Sequence, residues 1–302
     1  MGRNGVPAAA RSKEQGARDE GGRILAPFGR RRAEVVANES SGGYRVISAV
    51  DPTGPMPAAG QFYMLATAEH WGGDAGRPFL PRAFSVAAAE DAGEGVRLSF
   101  LLEDVGPGTR RLAGLGAGEG LLLTGPLGRP FSPPGALNPD AAGAILVGGG
   151  IGLAPLAIWR HTLAERGIPE RSLLGFRDRD HAGGLELFRC SEVRLASEDG
   201  HAGHRGYVTD LLDRMLAGDS AATAVVYACG PPAMLEAVRV MCAERDVTAE
   251  LAMESPMACG YGACFGCAVP LREGGYMRLC VDGPVVNAAE VETALVAGAG
   301  HR

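Results

Sequence analysis

The sequence predicts a multi-domain fold of β plus α/β type: an antiparallel β-barrel, then a doubly wound parallel sheet, then a small cysteine-rich module. Three observations carry this. Short strand-like runs with no helical pattern between them fill the chain up to residue 138, strand and helix patterns alternate from 139 to 248, and four of the seven cysteines crowd into the stretch 259–280. The length agrees, since 302 residues amount to about two domains at roughly 150 residues each, with a small module to spare.

Residues 1–22 are rich in Gly, Arg and Ala and lack the apolar stretch of a secretory signal, so a disordered tail is expected there. The barrel, 23–138, draws its strands from 33–37, 44–50, 61–66, 83–87, 96–102 and 120–124. Each is rich in Val, Leu, Phe or Tyr and bounded by Gly, Pro and Asp clusters. A long loop, 70–81, separates two of them. In 139–248, strands at 144–147, 172–176, 193–197 and 224–228 alternate with helices at 153–166, 209–216 and 232–245, the mark of a parallel sheet. The last segment, 249–302, has little apolar material for a core of its own and needs a metal to hold it together.

Composition removes whole classes of function. The formal net charge is −6 and the pI about 5.6, without the basic footprint of a nucleic-acid binder. Lys13 is the only lysine in the chain and lies in the leader, so Schiff-base chemistry and the GxxxxGK[ST] phosphate loop are excluded from the folded body. The G-x-S-x-G and H-E-x-x-H patterns are absent, and no apolar run reaches the roughly 18 residues of a membrane span. Neither nucleic acid nor a membrane is expected as a partner.

Cys259, Cys264, Cys267 and Cys280 are spaced C-x4-C-x2-C-x12-C, and the first three spacings match the plant-type [2Fe–2S] pattern. Ala258, Gly260, Gly262, Ala263 and Gly266 lie among them, small residues that let a backbone wrap tightly and aim N–H groups at sulfur. A structural zinc site more often pairs two short knuckles, whereas here three ligands share one loop and the fourth arrives alone. A disulfide pair is the remaining alternative, disfavoured without a secretory signal. Cys190 and Cys242 have no partner spacing and read as ordinary small residues.

Between a strand and a helix, Gly148-Gly149-Gly150-Ile151-Gly152-Leu153-Ala154-Pro155 forms a turn that lets a pyrophosphate approach backbone N–H groups, although Leu153 breaks the G-x-G-x-x-G fingerprint. Cys229-Gly230-Pro231 ends another strand on the same side of the sheet, where ligands of open α/β sheets bind. Arg82-Ala83-Phe84-Ser85 offers a cation for a phosphate and a ring and hydroxyl for a planar group; on composition alone an edge strand with a solvated arginine is the simpler reading. Gly106-Pro107-Gly108-Thr109 is a phosphate-friendly turn or a plain hairpin.

The order of these pieces (R-x-F-S, G-x-G-T, GPLG-x-x-F at 125–131, GGGIG-x-AP, CGP) resembles the ferredoxin–NADP reductase superfamily. With the cysteine run 257–267, Cys280-Val281-Asp282-Gly283-Pro284, Gly175-Phe176-Arg177 and Gly206-Tyr207-Val208-Thr209-Asp210, it is most similar to the electron-transfer subunits of NAD-linked dihydroorotate dehydrogenases, over roughly residues 30–290. The resemblance implies FAD on Arg82, Ala83, Phe84 and Ser85, on the backbone of Leu101, Leu102 and Glu103, and on Gly108 and Thr109. It implies NAD along Gly149, Gly150, Gly152 and Pro155, with Arg177, Asp178 and Gly230, and it places catalytic Cys229 and Glu254 at the reacting end. It implies a [2Fe–2S] cluster on Cys259, Cys264, Cys267 and Cys280. Ala83 stands where proline is usual, the 70–81 loop is long, and the N-terminal tail is extra.

A further implication is a cytoplasmic heterotetramer serving pyrimidine biosynthesis. In it a separate FMN-containing subunit oxidises dihydroorotate, and this chain passes the electrons through the cluster and FAD to NAD⁺. Two other readings stay open: an NAD(P)H-dependent reductase subunit of a sulfide dehydrogenase, glutamate-synthase-like or hydrogenase complex, and a redox sensor or zinc-stabilised scaffold. NAD is expected over NADP, although Phe176-Arg177-Asp178-Arg179-Asp180 alternates both charge signs.

Overall fold

The structure, a computed structural model, describes residues 29–72, 78–188, 192–218, 223–296 and 298. The expected tail and Cys190 lie outside the described residues.

Strands β1 (Arg31–Ser41), β2 (Tyr44–Asp51), β3 (Phe62–Thr67), β4 (Arg82–Asp91), β5 (Val96–Glu103) and β6 (Gly120–Leu127) close a barrel in the order β1-β2-β5-β4-β3-β6. In β1, buried Ala33 and Val35 alternate with exposed Arg32, Glu34 and Val36, the period of a half-buried strand. Ile47, Leu98, Leu121 and Leu123 fill the interior around Tyr63 and Phe100, whose rings meet edge to face at 5.6 Å. One ion pair is sealed into the wall. Arg31 Nη2 lies 2.7 Å from Asp51 Oδ2, and Asp51 is fully buried and also accepts the Gly54 N–H.

Between β5 and β6, the turn at Gly106 opens a short helix, α1 (Pro107–Ala113), rather than a hairpin. Three glycines and a proline in and beside it hide the helix from propensity, but Pro suits the first helical position and buried Leu112 ties it to the barrel.

After α2 (Pro134–Leu137), the second half builds β7 (Gly143–Gly149), α3 (Leu153–Glu165), β8 (Glu170–Phe176), β9 (Val193–Ser197), β10 (His204–Arg205), α4 (Val208–Leu216), β11 (Ala224–Cys229), α5 (Pro232–Glu244) and β12 (Ala249–Ala252). The last segment adds the hairpin β13 (Ala268–Pro270) and β14 (Tyr276–Arg278), then β15 (Val285–Asn287). The large sheet runs β10-β9-β8-β7-β11-β12-β15, parallel throughout except for antiparallel β15 on β12.

The expected strands and helices of this half are present; β10, β12 and β15 are additions to the large sheet. The boundary expected at 249 therefore falls at the first residue of a sheet strand. Ala249-Glu250-Leu251-Ala252 carries a carboxylate and only four residues, so its pairing with β11 rather than its composition makes it a strand. The cluster cysteines lie between β12 and β15, and Val269 and Leu279 of that segment, with Val291 beyond β15, join one apolar cluster with Val226 and Leu251 of the sheet and Phe62 and Met64 of the barrel.

One linker residue ties the barrel to the sheet through both of its backbone polar groups. Ser132 donates its backbone N–H to Glu250 Oε2 at 2.9 Å, and its carbonyl accepts the Tyr227 hydroxyl at 2.7 Å. Beside it Phe131, Trp159 and Tyr227 pack as a trio with centroids 5.3–5.6 Å apart. Burial pushes the Glu250 carboxyl up to about 7; Glu290 adds to the rise, and the Ser132 N–H and hydroxyl oppose it. A raised carboxyl favours the folded state while protonated. Its contribution is therefore complete below the unfolded value near 4.5 and is lost as pH rises through about 7. Glu250→Gln should flatten the decline in stability across that window, on the order of 3 kcal/mol, in urea titrations at a series of pH values; an unchanged slope would assign the dependence elsewhere.

Candidate functional site

The barrel ladder has a gap where the flavin residues were expected. β4 and β5 pair from Asp91↔Val96 to Val86↔Phe100 and stop. Continued, the register would set Ser85, Phe84 and Ala83 opposite Leu101, Leu102 and Glu103. Those segments pair instead only with their outer neighbours, β3 and β2. Backbone groups along an unpaired seam need partners, and such a seam can hold a planar ring system by its backbone. Phe84 and Ser85 are half-buried there and Ala83 exposed.

At the end of the seam, Arg82 lies against Gly108: a Cβ on Gly108 would come within 2.8 Å of Arg82 Nε. The two segments expected to hold a diphosphate are thus in contact. The Thr109 hydroxyl is already used, bonding the Val105 and Gly106 N–H groups at 3.0 and 2.9 Å, so it fastens the turn and leaves Thr109 only its backbone for a ligand.

The glycine turn and the Cys229 strand end also meet. β7 and β11 are neighbours with Gly148 opposite Cys229, and Gly152 packs so tightly that a Cβ there would lie 2.5 Å from the carbonyl carbon of Cys229. Pro155 is buried in the first turn of α3, which packs against β4 of the barrel. Cys229 is wholly buried; burial, reinforced by the negative charge of Glu254, drives its thiol well above the ordinary range and keeps it neutral. A neutral thiol beside the turn suits an apolar ring that gains or loses a hydride.

Arg177 and Asp178 follow β8 on the side away from Cys229. Asp178 is not a free acceptor. His181 Nδ1 sits 2.5 Å from its Oδ1 and Arg177 Nε 3.3 Å from its Oδ2; the His181 hydrogen bond is the main reason its carboxyl is held down at about 2. His181 also lies 3.6 Å from Glu103, and the Gly184 N–H donates to Ser41 Oγ at 2.7 Å, so this loop grips the barrel beside the seam. The sequence reading missed His181, and also Tyr44, whose hydroxyl faces Gly150. Only the Asp178-x-x-His181 spacing hints at either.

The four expected cluster cysteines are gathered as two pairs. Cys267 Sγ and Cys280 Sγ are 3.2 Å apart, too far for a disulfide, and the Cys264 thiol hydrogen-bonds Cys259. Although burial opposes it, the N–H groups of Tyr261, Cys264 and Ala263 bring the Cys259 thiol down to about 6. Burial and the neighbouring Cys267 push Cys280 up to about 12.

Among the described residues no three Cys, His, Asp or Glu side chains converge on one point, as a single tetrahedral ion would require. Two pairs on one nest of N–H groups fit a two-iron cluster. Gly260, at φ +80°, lets the nest approach the barrel; a Cβ there would strike Met64 at 2.6 Å. The opposite rim is open, with Cys264, Tyr261, Phe265 and Tyr276 exposed. Cys242, by contrast, is buried in α5, and burial drives its thiol up to about 12.

Residues 254–292 match the family described as the iron-sulfur cluster binding domain of dihydroorotate dehydrogenase B, and residues 146–240 the oxidoreductase NAD-binding domain. Among curated proteins, the electron transfer subunit of dihydroorotate dehydrogenase B (NAD(+)) from Caldanaerobacter subterraneus subsp. tengcongensis is 33% identical over 242 residues, covering 79% of this chain and 88% of the relative. The same subunit from Geobacillus thermodenitrificans is 35% identical over 270 residues, covering 87% and 99%. Among solved structures, a chain of the NADH-dependent reduced ferredoxin-NADP oxidoreductase shares the fold at a TM-score of 0.72 and 24% identity, over 86% of this chain and 90% of that one. An Amycolatopsis cytochrome P450 reductase follows at 0.58 and 25%, over 74% and 68%.

The Gly152 contact makes a direct test. Gly152→Ala drives a methyl into the Cys229 carbonyl and should weaken NADH binding by about tenfold or more, roughly 1.4 kcal/mol, measured by titration of the purified chain. Unaltered affinity would mean that the turn does not carry the nucleotide.

Proposed function

Because this chain belongs to the family of electron-transfer subunits of NAD⁺-linked dihydroorotate dehydrogenase B, we propose that it carries electrons from a dihydroorotate-oxidising partner subunit to NAD⁺, with the partner's FMN as the immediate donor. When bound, a [2Fe–2S] cluster exchanges single electrons, nicotinamide takes a hydride, and FAD can do both. The residues divide that work. Arg82 to Ser85, Leu101 to Glu103 and Gly108 offer a seam for FAD. Gly149, Gly150, Gly152, Pro155 and Gly230 offer backbone to the dinucleotide, with Cys229 and Glu254 at its reacting end. Cys259, Cys264, Cys267 and Cys280 offer the iron ligands.

The observation that carries the proposal is the two-sided setting of the cysteine nest. One side packs on Met64 and Leu127 of the barrel through Gly260, and the other presents Cys264 with an exposed rim of Tyr261, Phe265 and Tyr276. Aromatic residues around a metal site are what a docking face requires. The partner would meet the nest there, and the barrel behind the nest would hold the flavin. No general acid or base for dihydroorotate is needed on this chain. Among the described residues no helix is long and apolar enough to cross a membrane; we infer a cytoplasmic heterotetramer from the family resemblance.

Co-expression with the partner and co-purification should yield a complex that reduces NAD⁺ on addition of dihydroorotate, with about two irons and two acid-labile sulfides per copy of this chain. Cys264→Ser should abolish the dihydroorotate-driven reaction and the iron signal while NADH oxidation by a small artificial acceptor persists. A complex replete in flavin and iron yet unable to reduce NAD⁺ would sink the proposal.

The ionised Asp178 at the end of β8 opposes the roughly −2 charge of a 2′-phosphate. NADH should therefore show the lower KM in that acceptor assay, and Asp178→Arg should narrow its advantage over NADPH. An equal or lower KM for NADPH in the unaltered chain would remove Asp178 as the discriminator.

A further inference from the structure

We propose that Trp71 is a positioning residue for Arg82, holding the guanidinium in the plane from which it grips the diphosphate of FAD. The inference rests on the reading of Arg82 as a flavin ligand. Trp71 lies in the long β3–β4 loop, and the Arg82 guanidinium carbon stands over its ring at 5.9 Å from the centroid, a cation–π distance. The ring is itself fixed: its indole N–H donates to the Phe79 carbonyl at 3.3 Å, and its body packs on the barrel's main apolar cluster.

Two other contacts complete the cradle. Arg82 Nη1 donates to the Leu80 carbonyl at 2.6 Å, and the Gly108 backbone closes the remaining side, within 2.8 Å of Nε for a built Cβ. Among the described residues no carboxylate lies within ion-pair distance of Arg82, whereas Arg97 and Arg110 pair with Glu90 and Asp104. An arginine held by an aromatic face, a carbonyl and a glycine is restricted in rotamer, and no carboxylate among the described residues neutralises it. Such a group is prepared for an anion rather than for the surface.

The test uses the full-length chain, stripped of flavin and titrated with FAD and with riboflavin, which lacks the diphosphate. Folding of each variant is checked by thermal melting. Arg82→Ala should weaken FAD about 10- to 150-fold. Trp71→Ala should weaken it roughly 2- to 5-fold, Trp71→Phe should restore most of that loss, and neither should alter riboflavin. On the Arg82→Ala background, Trp71→Ala should cost nothing more.

Independent losses that multiply, or an equal loss of riboflavin, would make Trp71 a packing residue and overturn the inference. So would full FAD affinity in Trp71→Ala while Arg82→Ala is impaired. If Arg82→Ala itself keeps full affinity, the flavin role of Arg82 falls, and the inference with it. Should Trp71→Ala fail to fold, Trp71→Phe and Trp71→Leu carry the comparison: a face-dependent order, Trp above Phe above Leu, for FAD alone supports the role, and equal values overturn it.

Discussion

Buried and half-buried backbone groups demand partners, and in a barrel closed on itself the strands supply nearly all of them. Here the β4–β5 seam stops pairing after Val86 and Phe100, leaving Ala83–Ser85 and Leu101–Glu103 with one free edge each. The rest of the molecule is arranged about that seam. Helix α3 packs on β4, the loop carrying His181 and Gly184 grips Glu103 and the β1–β2 turn, and the cysteine nest sits against β3 and β6. A ring system in the seam would therefore have nucleotide-binding backbone on one side and a cluster nest on another.

Relaying electrons between centres requires that their separations stay fixed, and the chain secures this through connections of different chemical kinds. The Phe131, Trp159 and Tyr227 rings give the linker an apolar anchor, and Ser132 is held at both its N–H and its carbonyl by side chains of adjacent strands. The cysteine module contributes β15 to the edge of the large sheet and shares an apolar cluster with sheet and barrel. None of the three parts keeps its core to itself. Arg31 and Asp51 add rigidity inside the barrel wall, where an unpaired partner would be severely penalised.

What could be read from the sequence was what local pattern encodes. The barrel strands alternate or run apolar between Gly and Pro clusters, and the cysteine spacing with its small residues is a chemical requirement written into consecutive positions. Helix α1 was hidden because Pro107 and Gly108 argue against helix while Leu112, buried in the barrel, argues for it only in three dimensions. β12 and β15 are four and three residues long, and only the neighbour each pairs with makes it a strand. The contacts of Gly152 with Cys229, Arg82 with Gly108, and His181 with Glu103 join residues far apart in the chain. The constituents of the site were legible; their meeting was not.

All four cluster ligands fall within the excursion that leaves the sheet at β12 and returns at β15. Pairing of those two strands holds the ends of the excursion side by side through backbone, so the entropy of closing that loop does not fall on the metal alone. Once in place, the cluster acts in return as a staple on a short edge of the sheet, since β15 is joined to it by three residue pairs. Oxidative loss of the metal would then do more than stop electron flow: it would loosen the strand that caps the sheet and expose an unpaired β12 edge to other chains.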